Sequence, residues 1–113
     1  MQDDMTHLTD ILDSARLAIS CVRDVDWTRF ASDVQLQDSV IRRLEVIGEA
    51  ARRVSDDFQS LWPDLPWRDM IGMRNVMIHG YDTVDLSIVW RTVQHDLPDL
   101  VRAVEGIMGH ASI

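Results

Sequence analysis

Three long stretches of this 113-residue chain carry apolar residues three and four positions apart, and nowhere do apolar and polar residues alternate. Leu8, Ile11, Leu12, Ala15, Ile19 and Val22 make the first stripe. Leu36, Val40, Leu44, Ile47, Ala51 and Val54 make the second. Leu86, Val89, Val93, Leu97, Leu100, Val104 and Met108 make the third. That spacing puts each set on one face of an α-helix, whereas a strand needs a period of two. Helices with one apolar face must bury it against other helices. The expected fold is therefore all-α, an antiparallel bundle of four to five helices.

Local signals mark the ends. Residues 24–32 hold Asp24, Asp26, Trp27 and Ser32 and read as a connection, with the second helix running from about Asp33 to Val54. Pro63 and Pro66 make residues 61–66 a loop, and Pro66 can open a short third helix, about Trp67 to Ile78. A proline lacks only an N–H that a first turn does not need. Gly80 serves as the stop signal of that helix. Asp85 is the expected N-cap of the last helix, which Pro98 should kink or split. Gly48, inside the second helix, costs about 1 kcal/mol relative to alanine, so it implies close approach of a neighbouring helix.

Composition sets the class. With 46% hydrophobic and 27% charged residues, the chain is an ordinary folded domain, read as one unit over residues 1–113. No apolar run approaches the ~20 residues of a membrane span. The acidic start, Met1-Gln2-Asp3-Asp4, lacks the basic and apolar segments of a signal peptide. With a lone Cys21 as well, a cytoplasmic protein is expected. The net charge of −8 argues against coating nucleic acid by bulk electrostatics, since a surface of that sign repels phosphate. Any RNA site must then be a local cluster of arginines. All eleven basic residues are arginine, whose planar fork suits phosphate and carboxylate alike.

The anomaly lies on the third helix. Its apolar face is Trp67, Met70, Ile71 and Ile78, and Arg74 falls in the middle of it. A charge there needs a partner. Either Arg74 pairs with Glu45 or Glu49 of the second helix, or it stands at a cleft rim and grips an anion. His79 follows five residues later, about 140° further round a continuous helix. The two converge only if the helix ends near Ile78 and the chain turns back, or if a symmetric dimer brings each to the other's copy. Asn75 adds a neutral donor and acceptor beside Arg74. Leu17 and Cys21, opposite the core stripe of the first helix, read as surface residues, a second helix contact or a dimer face. His95, Asp96 and Asp99 have a loosely metal-like spacing but read as surface charge, and no metal or cofactor is expected. Trp27, Trp62, Trp67 and Trp90 read as core or interface anchors.

The segment Arg74-Asn75-Val76-Met77-Ile78-His79-Gly80-Tyr81 resembles the R-x-x-x-x-H-x-Y motif of the HepT-like toxins within the HEPN superfamily. The run Leu44-Glu45-Val46-Ile47-Gly48-Glu49-Ala50-Ala51 resembles that family's second helix, with Arg42, three before Glu45, in the place of its arginine. Pro66-Trp67, Ile71-Gly72-Met73, Val84-Asp85, Val89-Trp90 and Asp96-Leu97-Pro98-Asp99-Leu100 resemble its flanks, so the likeness covers about residues 5–108.

The resemblance implies an all-α homodimer with metal-independent endoribonuclease activity, acting as the toxin of a bacterial toxin–antitoxin pair. It implies Arg74, His79 and Asn75 as the catalytic set and RNA as substrate. It also implies a minimal nucleotidyltransferase as antitoxin, transferring AMP to Tyr81. The chemistry is consistent with those residue types. A histidine near pKa 6.5 can exchange the proton of a ribose 2′-OH, and arginine can meet charge growing on the phosphoryl oxygens. DNA lacks that hydroxyl, so no activity on DNA is expected. The competing reading is a non-catalytic HEPN module that binds a nucleotide or protein as a helical dimer.

Overall fold

The computed structural model describes residues 2–79 and 85–111, with side chains for residues 3–73 and 85–109. Its elements are α1 (Gln2–Cys21), α2 (Trp27–Ser32), α3 (Val34–Arg53), α4 (Asp56–Leu61), α5 (Trp67–His79), α6 (Leu86–Arg91), a π-helical turn (Thr92–Asp96) and α7 (Leu97–Ala111). No strand occurs among the described residues. The fold is all-α, as the stripes require.

The long helices meet through those stripes. α1 lies against both α3 and α7, and α3 carries α5 on its other side. Leu8, Ile11, Ala15, Val40, Ile47, Ala51, Leu97 and Val104 are fully enclosed where these helices meet. Gly48 is buried on α3, the helix that packs against both α1 and α5. Of the two residues opposite the α1 stripe, Leu17 is exposed, whereas Cys21 rests partly buried against the core.

The connection expected over residues 24–32 is corrected: it contains a helix, α2. Asp24, at φ 61°, turns the chain out of α1, a conformation that aspartate tolerates better than most side chains. Asp26 then accepts a hydrogen bond from the Arg29 amide at 2.9 Å and caps the first turn. Phe30, wholly buried, anchors the helix and stacks at 5.1 Å from Trp90. Asp33 starts α3 in the same way, accepting from the Leu36 amide at 3.0 Å.

α4 begins at another cap. Ser55 accepts from the Phe58 amide at 3.2 Å, while its own amide and hydroxyl donate to the buried Asp4 carboxylate of α1. Further on, the Trp67 indole donates to the Trp62 carbonyl at 2.9 Å, closing the loop that leads into α5.

Pro98 does not end the last helical stretch, but a π-helical turn just before it divides that stretch into α6 and α7. Its ring cannot donate to the ladder and crowds the carbonyl four residues back. The helix accommodates it with one wider turn: the Leu97 amide reaches the Thr92 carbonyl, five residues back. On the outer face of α3, Arg42 pairs with Glu45 at 3.5 Å. Arg53 meets the Glu49 carboxylate at 3.2 Å, and Arg52 joins it at 2.9 Å.

Candidate active site

α5 starts at Trp67, where the Pro66 carbonyl accepts the first helical bond, from the Met70 amide at 2.9 Å. Asp69 in the first turn complements the positive end of the helix. Trp67 and Met70 are buried, and Ile71 and Met73 are partly so. These residues press α5 onto α3 and fix the direction in which the helix leaves the core. The register of everything after Met73 on this helix is set by that contact.

The helix continues through His79, one residue past the expected end. Arg74, Asn75 and His79 therefore all belong to one helix. Five residues separate the Arg74 and His79 backbone positions, about 7.5 Å along the axis and about 140° around it. Their side chains, and Tyr81 and Gly80 altogether, lie outside the described residues. The structure thus brings three of the four expected functional residues onto α5; the fourth, Tyr81, lies outside the described residues.

Among the described residues, both glutamates considered as partners for Arg74 hold arginines of their own helix; the Arg74 side chain lies outside those residues. Glu45 pairs with Arg42, and Glu49 pairs with both Arg52 and Arg53. Together with His7 they line a narrow polar groove between α1 and α3.

Asp85 resumes the chain after the motif and caps α6. Its carboxylate accepts from the Ser87 hydroxyl at 2.5 Å and from the Ser87 amide at 2.9 Å. Those two bonds hold its carboxyl below the usual carboxylate range. The start of α6 is thereby held by a side-chain cap.

The arginines divide into two sets. Arg16 pairs with Glu105, Arg29 with Asp33 and Arg102 with Asp99, in addition to the α3 pairs. Arg23, Arg43, Arg68 and Arg91 make no ion pair among the described residues. Of these, Arg68 stands on α5, the helix that carries Arg74 and His79, and Arg91 on α6, which follows the motif. The sequence alone could not separate paired from unpaired arginines, because the pairing depends on which neighbour each side chain reaches. His95, Asp96 and Asp99 are all exposed, in keeping with surface charge. No group of metal-ligating side chains occurs among the described residues, and no described helix is long and apolar enough to cross a membrane.

Comparison with known proteins bears on α5 and the rest of the fold together. The family model described as "Ribonuclease HepT-like" matches residues 11–107. A Methanocaldococcus jannaschii protein named as an RNase is 38% identical over 104 residues, spanning 92% of this chain and 95% of its own. A Thermococcus cleftensis protein named as a ribonuclease HepT is 40% identical over 94 residues, spanning 83% and 86% respectively. The mRNA nuclease HepT of Shewanella oneidensis is 29% identical over 106 residues, spanning 73% and 80%. No solved structure matches. The matched region runs from Ile11 in α1 to Ile107 in α7 and encloses the whole of α5, and on that ground the chain belongs to the HepT-like ribonuclease family.

Proposed function

We propose that the chain is an endoribonuclease that cleaves RNA without a metal ion, acting in the cytoplasm as the toxin of a toxin–antitoxin pair. The observation that carries this reading is the presence of Arg74, Asn75 and His79 on one core-anchored helix of a HepT-like ribonuclease fold. Relatives named as RNases or as an mRNA nuclease support the substrate class.

The chemistry requires no imported nucleophile. His79 takes the proton from a ribose 2′-OH, and the freed oxygen attacks the adjacent phosphorus. The P–O5′ bond breaks, the 5′ oxygen leaves with a proton, and a 2′,3′-cyclic phosphate remains. Arg74 stabilises the charge that grows on the two non-bridging oxygens, where a bidentate fork fits better than a point charge. Asn75 orients one of these groups or the phosphate.

The 140° separation of Arg74 and His79 on a continuous helix favours a composite site. A two-fold dimer that apposes two copies of α5 sets the Arg74 of one copy near the His79 of the other. That arrangement also supplies a second histidine to protonate the leaving oxygen. Control falls to a nucleotidyltransferase antitoxin. The Tyr81 hydroxyl oxygen attacks the α-phosphorus of ATP, pyrophosphate leaves, and the new phosphodiester competes for the positive charge meant for RNA.

The experiment is cleavage of a defined RNA by the purified chain and by His79→Ala, with chelator present. The reading expects a cyclic-phosphate end from the native chain and none from the variant. Equal cleavage by both would remove His79 from the mechanism.

A further inference from the structure

The packing order leaves one edge of the bundle open. α5 rests chiefly on α3 and α7 chiefly on α1. Between them runs a groove floored by Met70 and Met73 of α5 and by Leu100 and Ala103 of α7. It continues along α7 to Gly106 and Ile107, walled there by Trp62 and Leu65 of the loop before α5. Leu61, 62% exposed, stands on the rim.

Positions 96, 99, 100, 103, 106 and 107 recur at three and four residues, so they form one face of α7 along its axis. That face is about 16 Å long, or three helical turns. A Cβ placed on Gly106 meets nothing within 4 Å, so the groove is open to an incoming backbone there. Met70 is enclosed beneath the groove, while the partly exposed Met73 offers a flexible, polarisable surface to a partner.

Charge selects the occupant. Asp64, Asp69, Asp96 and Asp99 ring the α5 end of the groove. Asp99 is tied to Arg102 of its own helix, but Asp64, Asp69 and Asp96 make no ion pair among the described residues. RNA would bring phosphate against those carboxylates. A second copy of a chain with net charge −8 would meet repulsion as well.

We infer that the α5–α7 groove is a docking site for a basic amphipathic helix of a partner protein. Its apolar face covers Met73, Leu100 and Ala103, and its lysines or arginines meet Asp64, Asp69 and Asp96. This is the helix-in-groove mode, with the charges fixing orientation. Only the identity of that partner as the antitoxin rests on the proposed function.

The test uses the full chain and a fluorescent peptide of about 18 residues, long enough to hold a helix in water, with leucine on one face and lysine on the other. Two controls carry glutamate for lysine, or the same residues in scrambled order. The inference expects the basic amphipathic peptide to bind at least about tenfold more tightly than either control. Gly106→Trp, which fills the groove, and the combined Asp64→Asn, Asp69→Asn, Asp96→Asn chain should each weaken it by a similar factor. Thermal melts establish folding, and the asparagine chain keeps the test valid if Gly106→Trp fails to fold. Indiscriminate binding, or binding that neither variant weakens, would overturn the inference. So would displacement of the peptide by single-stranded RNA, or loss of self-association in Gly106→Trp, which would give the groove to RNA or to a second copy. RNA cleavage is measured on the same samples. Selective peptide binding by a chain that cleaves no RNA would retain the docking site and refute the ribonuclease reading.

Discussion

The carboxylate of Asp4 accepts both the backbone N–H and the hydroxyl of Ser55, each at 2.8 Å, across fifty-one residues of sequence. It ties the first turn of α1 to the cap of α4 in a buried setting. Burial pushes the Asp4 carboxyl up, but the two bonds from Ser55 outweigh that and hold it below its ordinary value.

A carboxyl lowered on folding stabilises the native state above its unfolded pKa, and that contribution disappears as pH falls through the folded value. The acid limb of the stability curve should therefore include Asp4, with the loss developing below about pH 4. Asp4→Ala should lower unfolding stability by about 1–3 kcal/mol at neutral pH, since it removes two hydrogen bonds to a carboxylate. The gap between native and variant chains should close in acid. Denaturant unfolding of both chains at neutral and acid pH checks it.

Trp67→Phe should cost about 1 kcal/mol. The phenyl ring keeps only part of the packing at the start of α5, and the bond to the Trp62 carbonyl is lost. Thermal unfolding reads this, and a cost near zero would show that the bond does not hold the loop.

The composite site makes a distinct prediction. Light scattering at micromolar concentration should give twice the 13.0 kDa chain mass. Arg74→Ala and His79→Ala chains, each inactive alone, should regain part of their activity when mixed and allowed to exchange subunits. In a mixed dimer one of the two sites keeps both native residues. A monomer, or a mixture as inactive as its parts, would contradict it.

Tyr81 should gain the mass of AMP when the chain is incubated with ATP and a nucleotidyltransferase antitoxin, and the modified chain should lose RNA cleavage. Intact-mass measurement on native and Tyr81→Phe chains checks this. Neutralisation without added mass would point to occlusion by a bound partner.

The three stripes were legible because burial follows helical periodicity, and residues such as Leu8, Ile47 and Val104 lie fully enclosed where the spacing puts them. α2 was not legible. Six residues hold too few apolar positions to show a period, and the helix depends on the Asp26 cap and on Phe30 meeting Trp90 across the chain. The effect of Pro98 depends on whether a helix can widen by one residue, which neighbouring packing decides. For the candidate site, the spacing of Arg74, Asn75 and His79 was readable, as was their shared helix apart from its last residue. What the sequence could not show was that Arg42 pairs with Glu45, or that α5 rests chiefly on α3 and α7 chiefly on α1. Both depend on contacts between side chains and helices that one-dimensional spacing does not contain.

The most direct test of the central claim is the rate of cleavage of a defined RNA, in the presence of EDTA, by the native chain, His79→Ala and Arg74→Lys. The account predicts that the native rate is unchanged by chelation and that His79→Ala falls by about 10²–10⁴-fold. Arg74→Lys should also fail, because an ammonium does not reproduce the guanidinium fork. Cleavage abolished by EDTA, or native-like cleavage by His79→Ala, would contradict it.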